Sequence, residues 1–470
     1  MATHRQDEDR PEKTANPFST VPYEIAAHIL SFVPRPDLAT VCLVNQSLCH
    51  CAEPILCSDI AFKWARHGAP PPITSLLRKL FRRPELFDCV DVLSLTGHSY
   101  SMSGEDSLPP VAVTESTLVE FEHIIKKLDV PFAGVWVRRL REGSMDAFSA
   151  LLIAHLSKVR RLTIDDSHIR RLDLIGKVLQ SKAIGQNLPR FERLKLIVYF
   201  HRFGPPYQPT PQHRFDEVMA LFQIPTISHL ATQMGSTEIF HWPAGEPNLS
   251  CLTSLDLGGC CAAFMPKILA LTGNLKSLAW QWQYIAGTDD PWMTTNLDLD
   301  EIISVLSSVK DTLEKLQIRF DVPYEDYPGD DVPTMDISGS FGGLVNFNRL
   351  TELKVPIACL ADFGVQPQSL DRYVPRSVEK LSLFVDMLET PTVVWIPNGA
   401  WPADDYFARL FRDFAKRCPT RLPGLHLVQI IDDYAYFERL GEILAQSHLS
   451  VDIDFVRHNS PLWELSVDGM

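Results

Sequence analysis

The 470-residue sequence predicts an α/β chain with a small helical unit at its front, and three observations carry that prediction. Residues 22 to 52 hold helix starts, apolar stripes and proline stops in quick succession. From about residue 85 onward a short unit, apolar-x-x-Leu-x-apolar, recurs at a spacing that suits strands separated by helices. The motifs of bond chemistry are missing from both parts.

In chain order, residues 1–15 (MATHRQDEDRPEKTA) have nothing to bury and are expected to form a disordered tail. Pro22, with its fixed φ and missing N–H, suits the first turn of a helix, and Glu24 lies near the positive end of that helix dipole. Ile25, Ile29, Phe32 and Val33 come next as one apolar stripe, and Pro34 with Pro36 forbids continuation past Val33. Asp37 stands where an N-cap belongs before Leu38 to Val44, which predicts a second short helix; Asn45 or Ser47 can cap a third. Three such helices cannot bury both faces of one another. Some of Ile25, Ile29, Leu30, Leu38 and Leu43 should therefore stay available to a partner.

These residues carry a resemblance. The run V-P-x-E-I-x-x-x-I-L-S-F-V-x-x-x-D-L-x-x-x-x-L-V, from Val21 to Val44, resembles the F-box family, with Val21 standing where Leu is usual. The stretch Glu53 to Phe62 (EPILCSDIAF) resembles the family's exit, with Cys57 in place of an aromatic. The expected F-box covers residues 16–64.

Gly68 to Pro72 then breaks the chain, so residues 65–84 read as a linker and short helix acting as a hinge. Beyond it, six strict copies of the repeat stand at Val159-RR-Leu162-T-Ile164, Phe191-ER-Leu194-K-Leu196, Leu252-TS-Leu255-D-Leu257, Leu313-EK-Leu316-Q-Ile318, Leu350-TE-Leu353-K-Val355 and Val378-EK-Leu381-S-Leu383. Residue frequencies give about one such match by chance, so the repeat is real. A seventh match, Ile169 to Leu174, comes too soon after its predecessor and reads as the start of a helix running to Ala183. Looser copies begin at Val90, Phe132, Ile227, Leu275 and Leu422. Helix-like segments such as Ser116 to Leu128 and Leu299 to Val309 lie between copies.

Strand cores every 23 to 44 residues resemble leucine-rich repeats without the Asn that closes each turn in regular arrays. Residues 85–470 are thus expected to stack into a solenoid, strands in one parallel sheet and helices outside. The alternative is a doubly wound enzyme fold. Polar pairs inside the motif, such as Glu192-Arg193 and Glu379-Lys380, favour one wet sheet face and count against a sheet buried on both.

A net charge of −14 argues against nucleic-acid binding and against an anionic membrane surface. No apolar run is long enough to span a bilayer, and ten scattered cysteines suit a reducing compartment, so a soluble cytoplasmic or nuclear protein is expected. Zinc spacing, a Walker loop, G-x-G-x-x-G and a serine elbow are all missing, so neither a metal nor a cofactor nor catalysis is expected. Two features could serve recognition. Trp280 and Trp282 share strand parity, which would put both rings on one face for a protein substrate. The inserts Arg202 to Gln212 and Asp321 to Asp336 are expected loops, the second strongly acidic.

The F-box resemblance implies the function: a substrate-recognition subunit of a cullin-RING ubiquitin ligase. In that reading the box docks on a Skp-type adaptor, and through it a cullin, while the repeats bind an unknown protein target. Pro22, Glu24, Ile25, Ile29, Leu30, Phe32, Asp37, Leu38, Leu43 and Val44 are the adaptor-binding residues it implies. Pro22 and Asp37 would shape the helices, and the aliphatic residues would supply contact area. A scaffold acting outside a ligase is the other adaptor reading.

Overall fold

The computed structural model describes residues 21–64, 69–97, 110–165, 172–200, 212–234, 239–260, 262–283, 296–321, 336–360, 369–384, 404–432 and 452–457. The expected tail, the start of the box-like segment up to Thr20, and most of both expected loop inserts lie outside the described residues.

The chain opens with α1 (Tyr23–Leu30), α2 (Arg35–Val41) and α3 (Gln46–Cys57). Pro22 precedes α1 with φ −54° and ψ 145°, an extended residue fixed by its ring. Asp37 does not cap α2. That helix starts two residues earlier, with Pro34 as its N-cap and Pro36 in its first turn, where a missing N–H costs nothing; Asp37 is left as a first-turn acid facing the dipole. Asn45 does cap α3, its Oδ1 accepting the Leu48 N–H at 2.8 Å. Ala26, Leu30, Leu38, Cys51 and Ala52 form a core of their own among the three helices.

Past α3 the chain builds one large sheet. Its strands in chain order are β1 (Asp59–Trp64), β2 (Val92–Gly97), β3 (Arg161–Ile164), β4 (Leu196–Tyr199), β5 (His229–Gln233), β6 (Ser254–Gly258) and β7 (Ser277–Gln283). A short β8 (Asn296–Asp298) comes next, then β9 (Lys315–Asp321), β10 (Asp336–Ser338), β11 (Glu352–Pro356), β12 (Lys380–Phe384), β13 (Leu427–Asp432) and β14 (Asp452–Arg457). β8 and β10 pair with each other; the other twelve form a single sheet whose order keeps to the chain without reversal, every pair parallel. A doubly wound sheet reverses at a switch point. This one does not.

The strand register aligns one apolar residue per strand: Ile60, Leu93, Leu162, Ile197, Leu230, Leu255, Leu278, Leu316, Leu353, Leu381 and Val428. All are buried. Two residues on, Leu95, Ile164, Tyr199, Thr232, Leu257, Trp280, Ile318, Val355, Leu383 and Ile430 form a second buried row, because side chains two apart share a face. The residue just before each strand donates its backbone N–H to the carbonyl of the residue just before the preceding strand: Lys195 to Arg160 (2.9 Å), Ser228 to Lys195 (2.8 Å), Thr253 to Ser228 (2.9 Å) and Glu314 to Lys276 (2.7 Å) are examples. Thr253 and Thr351 add hydroxyl bonds to Ser228 O (3.2 Å) and Glu314 O (3.1 Å). Backbone and hydroxyl donors thus satisfy turns that lack an Asn.

Three repeat assignments change, and the motif misses the first strand. The copy at Phe132 is a helix, α6 (Ala133–Arg141), lying between α5 (Glu115–Lys127) and α7 (Met145–His155). Trp136 and Leu140, four apart, are its buried face, a helical period that a six-residue motif does not test. The copies at Phe191 and Leu422 begin three residues early: β4 and β13 place Ile197 and Val428 in the Leu row, so the units start at Leu194 and Leu425. β1 carries Ile60 in that row, which a Leu-based motif overlooks. The seventh match is, as expected, the lead-in to α8 (Asp173–Ile184).

The remaining helices are α9 (Gln212–Leu221), α10 (Met265–Leu269), α11 (Leu299–Leu306), α12 (Ile357–Leu360) and α13 (Asp404–Arg421). Among the described residues, no helix is long and apolar enough to cross a membrane. The expected hinge is not one: α4 (Ile73–Arg82) buries Ile73, Leu77 and Leu80 completely in the main core. Its basic residues are on the outer side, which gives the segment the sequence character of a surface linker.

One buried cation sits among these helices. Lys182 of α8 donates to Ala154 O (3.2 Å) and Pro189 O (2.9 Å) and lies 4.7 Å from the Phe191 ring centroid. Burial pushes its ammonium down from the ordinary 10.5 to about 7. The unfolded chain then binds the extra proton between those two values, so this residue's stabilising contribution is present above about 10.5 and is lost as pH falls toward 7. Denaturant titrations at pH 7 and pH 9 should show stability rising with pH, and Lys182→Met should flatten that rise.

Candidate functional site

Among the described residues, ten large apolar side chains are exposed, and six of them lie between Tyr23 and Val44. They are Tyr23, Ile25 and Ile29 along α1, Phe32 just after it, and Leu43 and Val44 after α2. Their concentration is the point. Singly exposed apolar residues need no explanation, whereas six within one small unit point to an interaction surface.

The geometry comes from the helix period. Ala26 and Leu30 face α3 and are buried, so Ile25 and Ile29, each one position earlier, are turned outward. Phe32, 75% exposed, is held edge-on to His28 with ring centroids 5.0 Å apart. Leu43 is 86% exposed at the end of the turn that brings the chain into α3. Beside this face, a groove of about 500 Å³ runs between the start of α1 and the start of α3, lined by Val21, Tyr23, Gln46, Leu48 and His50 among others.

Of the ten residues expected to dock on an adaptor, Pro22, Glu24, Ile25, Ile29, Phe32, Asp37, Leu43 and Val44 are exposed. Leu30 and Leu38 are not: at 6% and 1% exposure they fill the three-helix core and offer no contact area. Spacing makes all aliphatic positions look alike, and only packing separates the two groups. Tyr23 joins the exposed set although the family pattern leaves its position open. Its signal in the sequence is an aromatic at the exposed start of a helix.

The helical unit is bound firmly to the rest. Glu53 of α3 pairs with Lys79 of α4 at 3.0 Å and with Arg83. Arg35 at the start of α2 donates to Leu56 O at 2.9 Å and also to Asp59 O, the first residue of β1. The exposed face is therefore presented from a fixed position against the sheet edge. Cys51 is buried in the three-helix core and Cys57 in the main core, and desolvation pushes both thiols up, away from nucleophilic use.

The second expected site dissolves. Trp280 and Trp282 do share a face of β7, but it is the buried one, at 2% and 7% exposure. Trp280 Nε1 donates to Cys260 O at 2.8 Å, and Trp282 meets Phe320 edge-on at 5.8 Å. The opposite face of the sheet carries the polar positions Asp256, Gln317, Lys354 and Gln429, all half-buried, with cross-strand pairs Lys276–Glu314 (3.0 Å) and Lys315–Glu352 (2.9 Å) at its edge.

No protein-family model matches the chain, and a search of curated proteins gives no match.

Proposed function

We propose that the chain is a recognition adaptor: α1 to α3 form an F-box-like docking module, and the parallel sheet with its helices is an irregular leucine-rich-repeat solenoid that receives a protein target. The observation that carries this reading is the concentration of six exposed large apolar side chains, Tyr23, Ile25, Ile29, Phe32, Leu43 and Val44, on a unit whose own core is already filled. A partner that covers this face gains apolar burial worth about 25 cal/mol per Å². The chain-order sheet supports the solenoid, since stacked units pair only with their neighbours.

In this role the chain performs no bond chemistry. Holding a target lysine near a charged ubiquitin-conjugating enzyme raises effective concentration, and geometry alone accelerates transfer. Co-expression with a Skp-type adaptor should give a complex that survives gel filtration, and absence of any complex would overturn the docking module. Reconstitution with the cullin and RING components should then yield autoubiquitination. A stable adaptor complex that never supports it would assign the chain to a scaffold role outside a ligase.

A further inference from the structure

A second group of charged residues lies apart from α1 to α3, where α8 and α9 pack together. A cleft of about 170 Å³ opens there, lined by Arg139 of α6, Asp173 and Lys177 of α8, and His213, Arg214 and Glu217 of α9. A single water needs only about 15 Å³, so the space suits an ion of several heavy atoms.

The floor of the cleft is Glu217, only 2% exposed. Its Oε2 lies 3.4 Å from Arg214 Nη1, while its Oε1 makes no hydrogen bond among the described residues. Arg214 is drawn the other way, to Asp173. Room for Glu217 comes from Gly176, where a Cβ would overlap its carboxyl. Packing does not require an acid here. The neighbouring buried carboxyl, Asp146 of α7, is fully engaged in accepting the Leu174 and Ile175 N–H groups at 2.7 and 3.1 Å, capping α8. Glu217 is held only by the long 3.4 Å contact from Arg214, which leaves its other oxygen turned to the cleft.

The mouth of the cleft indicates what it would hold. Asp173 neutralises Arg214, which leaves Lys177, Arg139 and His213. Lys177 forms no ion pair among the described residues, and Arg139 meets only Glu142, at 3.2 Å in solvent, where such pairs are weak. An oxyanion would meet the Lys177 and Arg139 cations and the His213 ring, and such cations hold oxyanions by charge-assisted hydrogen bonds.

We propose that this cleft binds a small phosphate-type oxyanion, held by Lys177, Arg139 and His213 with the Glu217 carboxyl at its floor. The site is independent of the adaptor reading. Its electrostatics make binding proton-linked. Burial first raises the Glu217 carboxyl from 4.5 to about 7; Arg214 and Lys177 pull it down and Asp146 pushes it up. The charged and titratable groups around it are Arg214, His213, Lys177, Asp173, Arg139, Asp146 and the buried Tyr199 hydroxyl, which has no hydrogen-bond partner among the described residues. An anion above Glu217 favours its protonated form further, so binding should strengthen as pH falls through 7.

The test is calorimetric titration of the full chain with inorganic phosphate at pH 6 and pH 8, at constant ionic strength, with chloride as the control. Saturable binding is expected. Lys177→Ala and, separately, Arg139→Ala should each weaken it about tenfold while leaving the circular dichroism spectrum unchanged. Glu217→Gln keeps a hydrogen-bond donor without titrating. Phosphate's own ionisation is common to both proteins, so the ratio of wild-type to Glu217→Gln affinity should rise by roughly tenfold from pH 8 to pH 6. Absence of saturable binding at either pH, affinity unchanged in both cation variants, or a pH-independent ratio would each overturn the proposal.

Discussion

Ile29→Asp combined with Leu43→Asp should abolish capture of a Skp-type adaptor while leaving the melting temperature of the chain unchanged. Both side chains are exposed, at 48% and 86%, so a charge on either stays in water in the free protein. On docking, each charge would be buried without a partner. Two such positions together should cost about 4 kcal/mol of binding, roughly a thousandfold in affinity. Leu38→Asp is the contrasting variant. Leu38 is 1% exposed in the three-helix core, so a carboxylate there should destabilise the unit by about 4 kcal/mol or more and lose adaptor capture by unfolding it. Calorimetry and pull-down on the same two proteins separate the cases. Unimpaired capture by the double variant would remove the docking face from α1 and the α2–α3 turn.

The distinction between those variants shows where sequence reading stops. The helices of the front unit are legible because Pro22, Pro34, Pro36 and Asn45 act locally, through fixed φ, missing donors and a cap. The division of Ile25 and Ile29 from Leu30 and Leu38 is not, since all four are aliphatic and only the third helix decides which side is covered. The sheet repeats a similar lesson. Where Leu fills the first row, at Leu162, Leu255, Leu278, Leu316, Leu353 and Leu381, spacing alone locates the strand. Where Ile197 or Val428 takes that place, a Leu three residues earlier draws the reading off register, because Leu-Ile-Val-Tyr in β4 is buried throughout and shows no alternation. The cleft at Glu217 is invisible in the sequence for a different reason: Arg139, Lys177 and Glu217 come from three helices far apart in the chain, and no spacing rule joins them.

The tryptophans give the sharpest consequence of a face that parity alone leaves open. Were Trp280 a recognition residue, Trp280→Ala would leave stability intact and weaken target binding. Its actual place, in the second buried row between Leu257 and Ile318, gives the opposite result. Truncation removes a large aromatic from a close-packed sheet face, and the cavity left cannot collapse because both neighbouring strands are fixed by their parallel ladders. It also strips Cys260 O of the indole N–H that bonds it at 2.8 Å. Loss of about 3–5 kcal/mol is expected, from cavity and transfer together. Trp280→Phe keeps most of the volume and loses the donor, so it should cost about 1–2 kcal/mol. Chemical denaturation of the three proteins gives this order directly, and equal midpoints would return Trp280 to the surface. The opposite face of the sheet carries Asp256, Gln317, Lys354 and Gln429, so polar side chains, not the tryptophans, line its half-buried surface.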